Sequence, residues 1–186
     1  MTHWPYNAEY AFCRAAKKRR RPHRRRGPRV ERYLDFLAEG DADHIISKAN
    51  FDKGFGGSAD AVLMRGGGDF RHIVPVPNKT GSEARDAFVE MYGPDNPRRF
   101  NSDASGEIAW ACAELGFRGH RTSAPGEWQS NGLIETDVGL LKGGTIAALS
   151  RGGLPPVVWP CASRHWTFAT HIHEAVSYTH LTLPTN

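Results

Sequence analysis

Asp41-Ala42-Asp43-His44-Ile45-Ile46-Ser47 is the stretch on which the fold turns. Its paired isoleucines read as a strand, and that strand carries acids toward its middle. Two further strings hold an acid beside an apolar element: Asn101-Ser102-Asp103 and Asn131-Gly132-Leu133-Ile134-Glu135. About sixty residues separate the aspartates Asp43 and Asp103, and about thirty separate Asp103 from Glu135.

Working outward from Asp43, a Gly-rich loop over Lys53 to Ser58 leads into an apolar strand at Ala61 to Met64. A turn at Gly66-Gly67-Gly68-Asp69 and a strand over Phe70 to Val76 complete a hairpin beside the first strand, with Pro75 and Pro77 limiting pairing at its end. A helix is expected from about Ser82 to Met91, because Ala84, Ala87, Phe88 and Met91 recur at helical spacing until Gly93-Pro94. Arg98 to Asp103 reads as a strand, and Ile108, Ala111, Cys112 and Leu115 as a helix capped by Gly116. Phe117 to Thr122 is a fifth strand.

A helix over about Ser130 to Leu149 has Ile134, Val138 and Leu141 on one side. It should be weak or kinked, since Gly139, Gly143 and Gly144 each cost about 1 kcal/mol relative to Ala. Pro155 to Thr170 forms a last helix, with Val158, Cys161, Ala162, His165 and Ala169 in register and Trp159 and Trp166 available for packing. The order β, β, β, α, β, α, β, α, α, with its three spaced acids, suits a ribonuclease-H-like α/β domain: a mixed five-stranded sheet flanked by helices.

The acids suggest the chemistry. Breaking or joining a phosphodiester needs a nucleophilic oxygen, an in-line leaving oxygen and neutralisation of charge on the phosphorus. Two Mg²⁺ or Mn²⁺ ions meet those needs, and such hard cations take carboxylate ligands. Asp43 on a central strand, Asp103 at a neighbouring strand end and Glu135 in the first turns of a helix are the candidate catalytic and metal-ligating residues. Asp41 is the reserve for the first position, since i and i+2 on a strand face the same side. Each acid also has a plain structural reading: Glu135 as a helix-dipole partner, Asp103 as a turn cap, Asp43 on a solvated face.

The surrounding words resemble the integrase core of long-terminal-repeat retrotransposons, copia-like polyproteins in particular. The resemblance extends over most of residues 2 to 170. It opens with Thr2-His3-Trp4-Pro5, Cys13-Arg14-Ala15-Ala16-Lys17 and Arg24-Arg25, similar to a pre-integrase segment. It continues through Ala42-Asp43-His44, Val74 to Lys79, Ser102-Asp103, His120-Arg121-Thr122-Ser123-Ala124-Pro125, Asn131-Gly132 with Glu135, and Gly153-Leu154-Pro155 with Trp159. The resemblance implies metal-dependent DNA 3′-end processing and strand transfer, with Asp43, Asp103 and Glu135 as metal ligands. His44 and Asn131 would support those ligands from behind. DNA and further integrase copies are the implied partners.

The chain also departs from that family. Tyr10 stands where the pre-integrase zinc motif has its first cysteine, so His3 and Cys13 fall short of the four ligands of a structural zinc. Ala104 replaces the asparagine usual after the second aspartate, and Trp128 lies in a loop that usually carries small polar residues. The rival reading is therefore a diverged, catalytically dead remnant that binds nucleic acid through its arm. A ribonuclease H is a third reading, kept open by Glu83, Asp86 and Glu90 and opposed by Asn131-Gly132 ahead of Glu135.

The net charge of +4 hides an asymmetry. Residues 1–29 hold ten Lys/Arg against the single acid Glu9, which leaves 14 basic and 19 acidic residues in the rest of the chain. The arm is thus about +9 and the body about −5. Lys17, Lys18, Arg19, Arg20, Arg21, Arg24, Arg25 and Arg26 have no hydrophobic face among them, so the run is expected to be disordered and to bind nucleic acid by neutralising phosphate. Such a run also suits a nuclear import signal, and nuclear localisation is the expectation.

Cys13, Cys112 and Cys161 are too few and scattered for a disulfide framework, which fits a reducing intracellular compartment. No apolar run approaches the roughly 20 residues of a membrane helix. The end of the chain, Val176-Ser177-Tyr178-Thr179-His180-Leu181-Thr182-Leu183-Pro184-Thr185, resembles a translated sequencing-library adapter, and residues 176–186 are expected to be foreign. The alternative is a genuine extended C-terminus rich in Tyr, Thr and Leu. The expected organisation is a pre-integrase remnant and basic arm over 1–29, a catalytic core over 30–175, and the tail.

Overall fold

The computed structural model describes residues 35–46, 53–122 and 132–180, with side chains through residue 172. The basic arm, Asn131 and the loop carrying Trp128 lie outside the described residues. A single sheet organises the domain, from β1 (Gly40–Ile46), β2 (Asp60–Arg65), β3 (Arg71–Val76), β4 (Phe100–Ser102) and β5 (His120–Thr122). Its order is β3-β2-β1-β4-β5. The hairpin strands pair antiparallel, β1 with β2 and β2 with β3, whereas β1 with β4 and β4 with β5 pair parallel. The fold is the expected α/β type, a mixed five-stranded sheet flanked by helices.

Helices α1 (Gly81–Tyr92) and α2 (Gly106–Glu114) cover one face, and α3 (Gly132–Gly152) and α4 (Trp159–His180) the other. Because β1 alternates its side chains, Ala42 enters the core under α1 and α2, while Ile45 packs toward α3 and α4. The first core is built on Phe88, Phe100 and Phe117, whose ring centroids lie 5.1 to 5.7 Å apart. Both helices on that face start on side-chain caps. The Thr80 hydroxyl accepts the Glu83 amide at 3.3 Å, and the Ser105 hydroxyl accepts the Ile108 amide at 3.4 Å.

Pro75 is tolerated because β3 is an edge strand. The edge is blunted by α4, where His171 Nε2 accepts the Arg71 amide at 2.9 Å and its ring stacks on Phe70. Arg164 of α4 and His72 of β3 both reach Glu90 of α1 at this edge, at 3.0 and 2.9 Å. β4 and β5 are shorter than expected. Phe117 turns inward behind the end of α2, its amide bonded to the Cys112 carbonyl at 2.9 Å, and Gly119 passes directly against the Arg98 carbonyl.

Three expectations about the helices need correction. α3 is one continuous helix of 21 residues rather than a kinked one. Gly144 is buried against Trp166 of α4, so the absent side chain is what allows the two helices to approach. The inward side of α4 is not the expected stripe: Cys161 and His165 are exposed, and Ala162, Ser163, Trp166, Thr167 and Thr170 are buried. The hydroxyls of Ser163, Thr167 and Thr170 donate to carbonyls one turn back, which lets polar residues face the sheet. α4 also runs on to His180, past the Thr170 at which the last helix was expected to end, so it takes in the first residues of the stretch expected to be foreign. Among the described residues no helix is long and apolar enough to cross a membrane.

The glycines of α3 make a paired prediction. Gly144→Ala should destabilise the fold by about 1–2 kcal/mol, because overpacking against the Trp166 indole outweighs the gain in helix propensity. Gly139→Ala and Gly143→Ala meet open space and should each stabilise by up to about 1 kcal/mol. Urea unfolding midpoints of the three variants check this, and an equal response at all three positions would contradict the packing account.

Candidate functional site

The parallel ladder between β1 and β4 builds the site. Ala42 pairs with Ser102 and Asp41 with Asn101. Carried one residue further, this register sets Asp43 beside Asp103, on strands about 4.8 Å apart. Odd-numbered residues of both strands point to the α3 and α4 side. The Asn101 amide accordingly donates to the Asp41 carboxylate at 3.1 Å, across the same face. Asp103 lies just past the end of β4, where its Oδ1 accepts the Ser105 amide at 3.2 Å. The turn-capping reading of Asp103 therefore holds alongside any other role.

α3 begins on this face. Ile134 and Leu141 bury against the sheet, which leaves Glu135 exposed in the first turns. The Asp43 carboxyl senses the other two acids. Burial raises the Asp43 carboxyl to about 6, and the negative charges of Asp103 and then Glu135 add to the rise. The His44 backbone amide and the Lys142 ammonium act in the opposite direction. Lys142 lies seven residues after Glu135, two helical turns along the same side.

Asp41, the reserve acid, is also raised, chiefly by burial, against the lowering effect of its bond from Asn101. Glu39 and Asp137 raise it further and Arg65 lowers it. Its partners thus tie it to Asn101 and to the charges around Arg65 rather than to Asp103.

His44 does not stand behind Asp43. As the next residue on the strand it points to the α1 and α2 face, where it is 8% exposed. Both ring nitrogens lack a hydrogen-bond partner among the described residues. Burial and then the Lys79 charge hold its pKa below the ordinary value, so it is a neutral imidazole inside that face. Asn131, the other expected support, is outside the described residues, as are Lys17, Lys18, Arg19, Arg20, Arg21, Arg24, Arg25 and Arg26. Among the described residues, no group of three or more His, Cys, Asp or Glu side chains is disposed to hold a metal ion. The acids are electrostatic neighbours in this arrangement, not a formed ligand cage.

The sequence reading missed Asp137. It occupies the buried stripe of α3, three residues after Ile134 and four before Leu141, and is only 2% exposed. Its Oδ2 accepts Arg65 Nη1 at 3.0 Å and its Oδ1 accepts Arg71 Nε at 2.9 Å. Arg65 also pairs with Asp69, in the turn between β2 and β3. The available signal was an acid placed on the apolar side of an amphipathic helix, with arginines at both mouths of a hairpin turn. Cys112, by contrast, is the expected core residue, its thiol pushed up to about 12 by burial.

No protein-family model matches the chain. No curated protein matches it either. Among solved structures, it is similar to a chain in the cryo-EM structure of the simian T-cell lymphotropic virus intasome in complex with PP2A regulatory subunit B56 gamma. The identity is 20% and the TM-score 0.51, over 73% of this chain and 50% of that one. The chain thus spans about half the length of that solved chain. At that identity the likeness concerns the fold alone, a ribonuclease-H-like α/β architecture.

Proposed function

We propose that the domain is a retrotransposon-type integrase core that processes DNA 3′ ends and joins them to a target strand, using Asp43, Asp103 and Glu135 to hold two divalent metal ions. The observation that carries this reading is the Asp43 carboxyl, raised to about 6 by burial and by the neighbouring charges of Asp103 and Glu135. A sheet that crowds acids together and leaves them repelling one another suits a cation, and an all-carboxylate donor set suits Mg²⁺ or Mn²⁺ rather than zinc. When bound, such ions would activate the attacking oxygen and offset charge at the leaving oxygen.

The chain's own residues have separate tasks. Asp43 and Asp103 hang from adjacent parallel strands, so their spacing is set by the sheet and costs little reorganisation. Glu135 approaches from a helix and can adjust. Lys142, on the same side of α3, offsets the acids' charge and is suited to a DNA phosphate. His44 supplies no proton at this site, since it faces the other side of the sheet.

The test is joining of short labelled DNA ends to a target duplex by the full chain, with Mg²⁺, with Mn²⁺ and with EDTA. Joined products that depend on the metal are the expected result. Absence of joining with either ion would remove the enzymatic reading and leave the second one, binding without catalysis. That reading is favoured by the ten Lys/Arg of residues 1–29.

A further inference from the structure

An aspartate on the buried side of a helix needs a reason to be there. Asp137 is 2% exposed and receives arginines from β2 and β3, each at 2.9–3.0 Å and each on a different carboxylate oxygen. Arg65 and Arg71 are themselves nearly buried, and the two residues are paired with each other in the β2–β3 register. Both arginines are fastened elsewhere. Arg65 also holds Asp69, and its carbonyl accepts the Tyr92 hydroxyl at 3.3 Å. The Arg71 amide is bound by His171. The carboxylate therefore docks into a rigid fork at the base of a hairpin.

Directional bonds to both oxygens constrain what apolar packing does not. A Leu in this place would let α3 slide or rotate by a fraction of a turn at small cost, whereas the forked contact permits one azimuth and one height. Glu135 lies two residues earlier on the same helix, in its exposed first turns. We infer that Asp137 is a positioning residue: clamped by Arg65 and Arg71, it sets the rotation and height of the first turns of α3 and so holds Glu135 toward Asp43 and Asp103. In its link to metal binding, the inference rests on the reading of those acids given under the proposed function.

The test must separate positioning from bulk stability. Removing Asp137 alone takes the shared carboxylate from two nearly buried arginines and threatens the fold. The principal variant is therefore Arg65→Met with Arg71→Leu and Asp137→Leu, which replaces the whole buried group by apolar side chains of similar size. Asp137→Asn, which keeps the side-chain shape, is read in the same way if the triple variant does not fold. Three measurements are made on the full chain: urea unfolding, amide hydrogen exchange at Thr136 to Leu140, and Mn²⁺ affinity by electron paramagnetic resonance.

The expected result is an unfolding midpoint close to that of the parent, with exchange at Thr136 to Leu140 at least about tenfold faster than in the parent. Mn²⁺ binding should be weaker by about 10- to 100-fold, as for other groups that orient metal ligands. Parental exchange and parental Mn²⁺ affinity in a folded variant would overturn the inference. If the parent itself binds no Mn²⁺, the proposed function fails, while the exchange at Thr136 to Leu140 still decides whether Asp137 positions the helix.

Discussion

Replacing Asp43 by asparagine is expected to lower metal-dependent DNA joining at least about a thousandfold, roughly 4 kcal/mol of transition-state stabilisation, while making the metal-free protein more stable. The opposite signs have one cause. The Asp43 carboxyl has a pKa of about 6 when folded, against 3.8 for an unperturbed group, so the folded chain binds its proton more tightly than the unfolded chain does. Stability conferred by the protonated form is thus fully present below about pH 3.8 and is lost as pH rises toward 6. Above that window the ionised group is a net penalty, which asparagine removes. After allowance for solvent screening at a partly buried group, the gain at pH 7.5 should be about 1–2 kcal/mol.

Thermal unfolding of the parent and Asp43→Asn at pH 4 and pH 7.5, without metal, checks the sign. The two proteins should nearly coincide at the lower pH and separate at the higher. A variant less stable than the parent at pH 7.5 would mean that the carboxylate is satisfied rather than repelled, and the case for a cation there would fall with it. Joining activity that survives Asp103→Asn would sink the mechanism from the other side.

Deleting residues 1–29 should weaken DNA binding of every sequence about equally and flatten its salt dependence. The segment carries about +9, whereas the remainder carries about −5. If the arm neutralises six or more phosphates, affinity should fall by about 10³-fold or more between 50 and 200 mM salt, with a slope near −0.9 per phosphate. The truncated chain should lose most of that slope, and what binding it keeps should depend on Mg²⁺, since bare carboxylates repel phosphate until a cation reverses the local charge. Fluorescence anisotropy across a salt series with two unrelated duplexes measures both effects. A truncated chain that binds as tightly with an unchanged slope would move the contact to the folded body. Lys142 is the first residue to examine there, because Arg164 is already engaged by Glu90.

The parts of the fold legible in the sequence were those set by local periodicity and by caps. Ala84, Ala87 and Phe88 on one helix and Ile108, Ala111 and Cys112 on another lie in the core as their spacing predicts. The hairpin around Gly66 to Asp69 was marked by its glycines, with Gly68 and Asp69 both at positive φ. Asp43 and Asp103 could be picked out because each follows or sits within an apolar strand. Their adjacency needed the parallel register of β1 with β4, a contact between strands about sixty residues apart that no local pattern encodes.

Where the reading failed, a partner distant in the chain had changed the meaning of a residue. Gly144 counts against a helix when considered alone, yet it is required where the Trp166 indole crosses. Ser163, Thr167 and Thr170 break the apolar stripe of α4, and their hydroxyls are satisfied within the helix. His171 caps the Arg71 amide of an edge strand, a contact across about a hundred residues that no local pattern encodes.

The sequence by itself determined which segments form strands and helices, which apolar faces they bury except on α4, and that three spaced acids and a cationic arm belong to one chain. Those properties follow from side-chain periodicity, capping chemistry and charge, all of which act over a few residues. Only the tertiary structure decided that Asp103 lies close enough to raise Asp43, and that Asp137 is clamped between Arg65 and Arg71. Each of these depends on strand order and register, which bring into contact charges that are far apart in the chain.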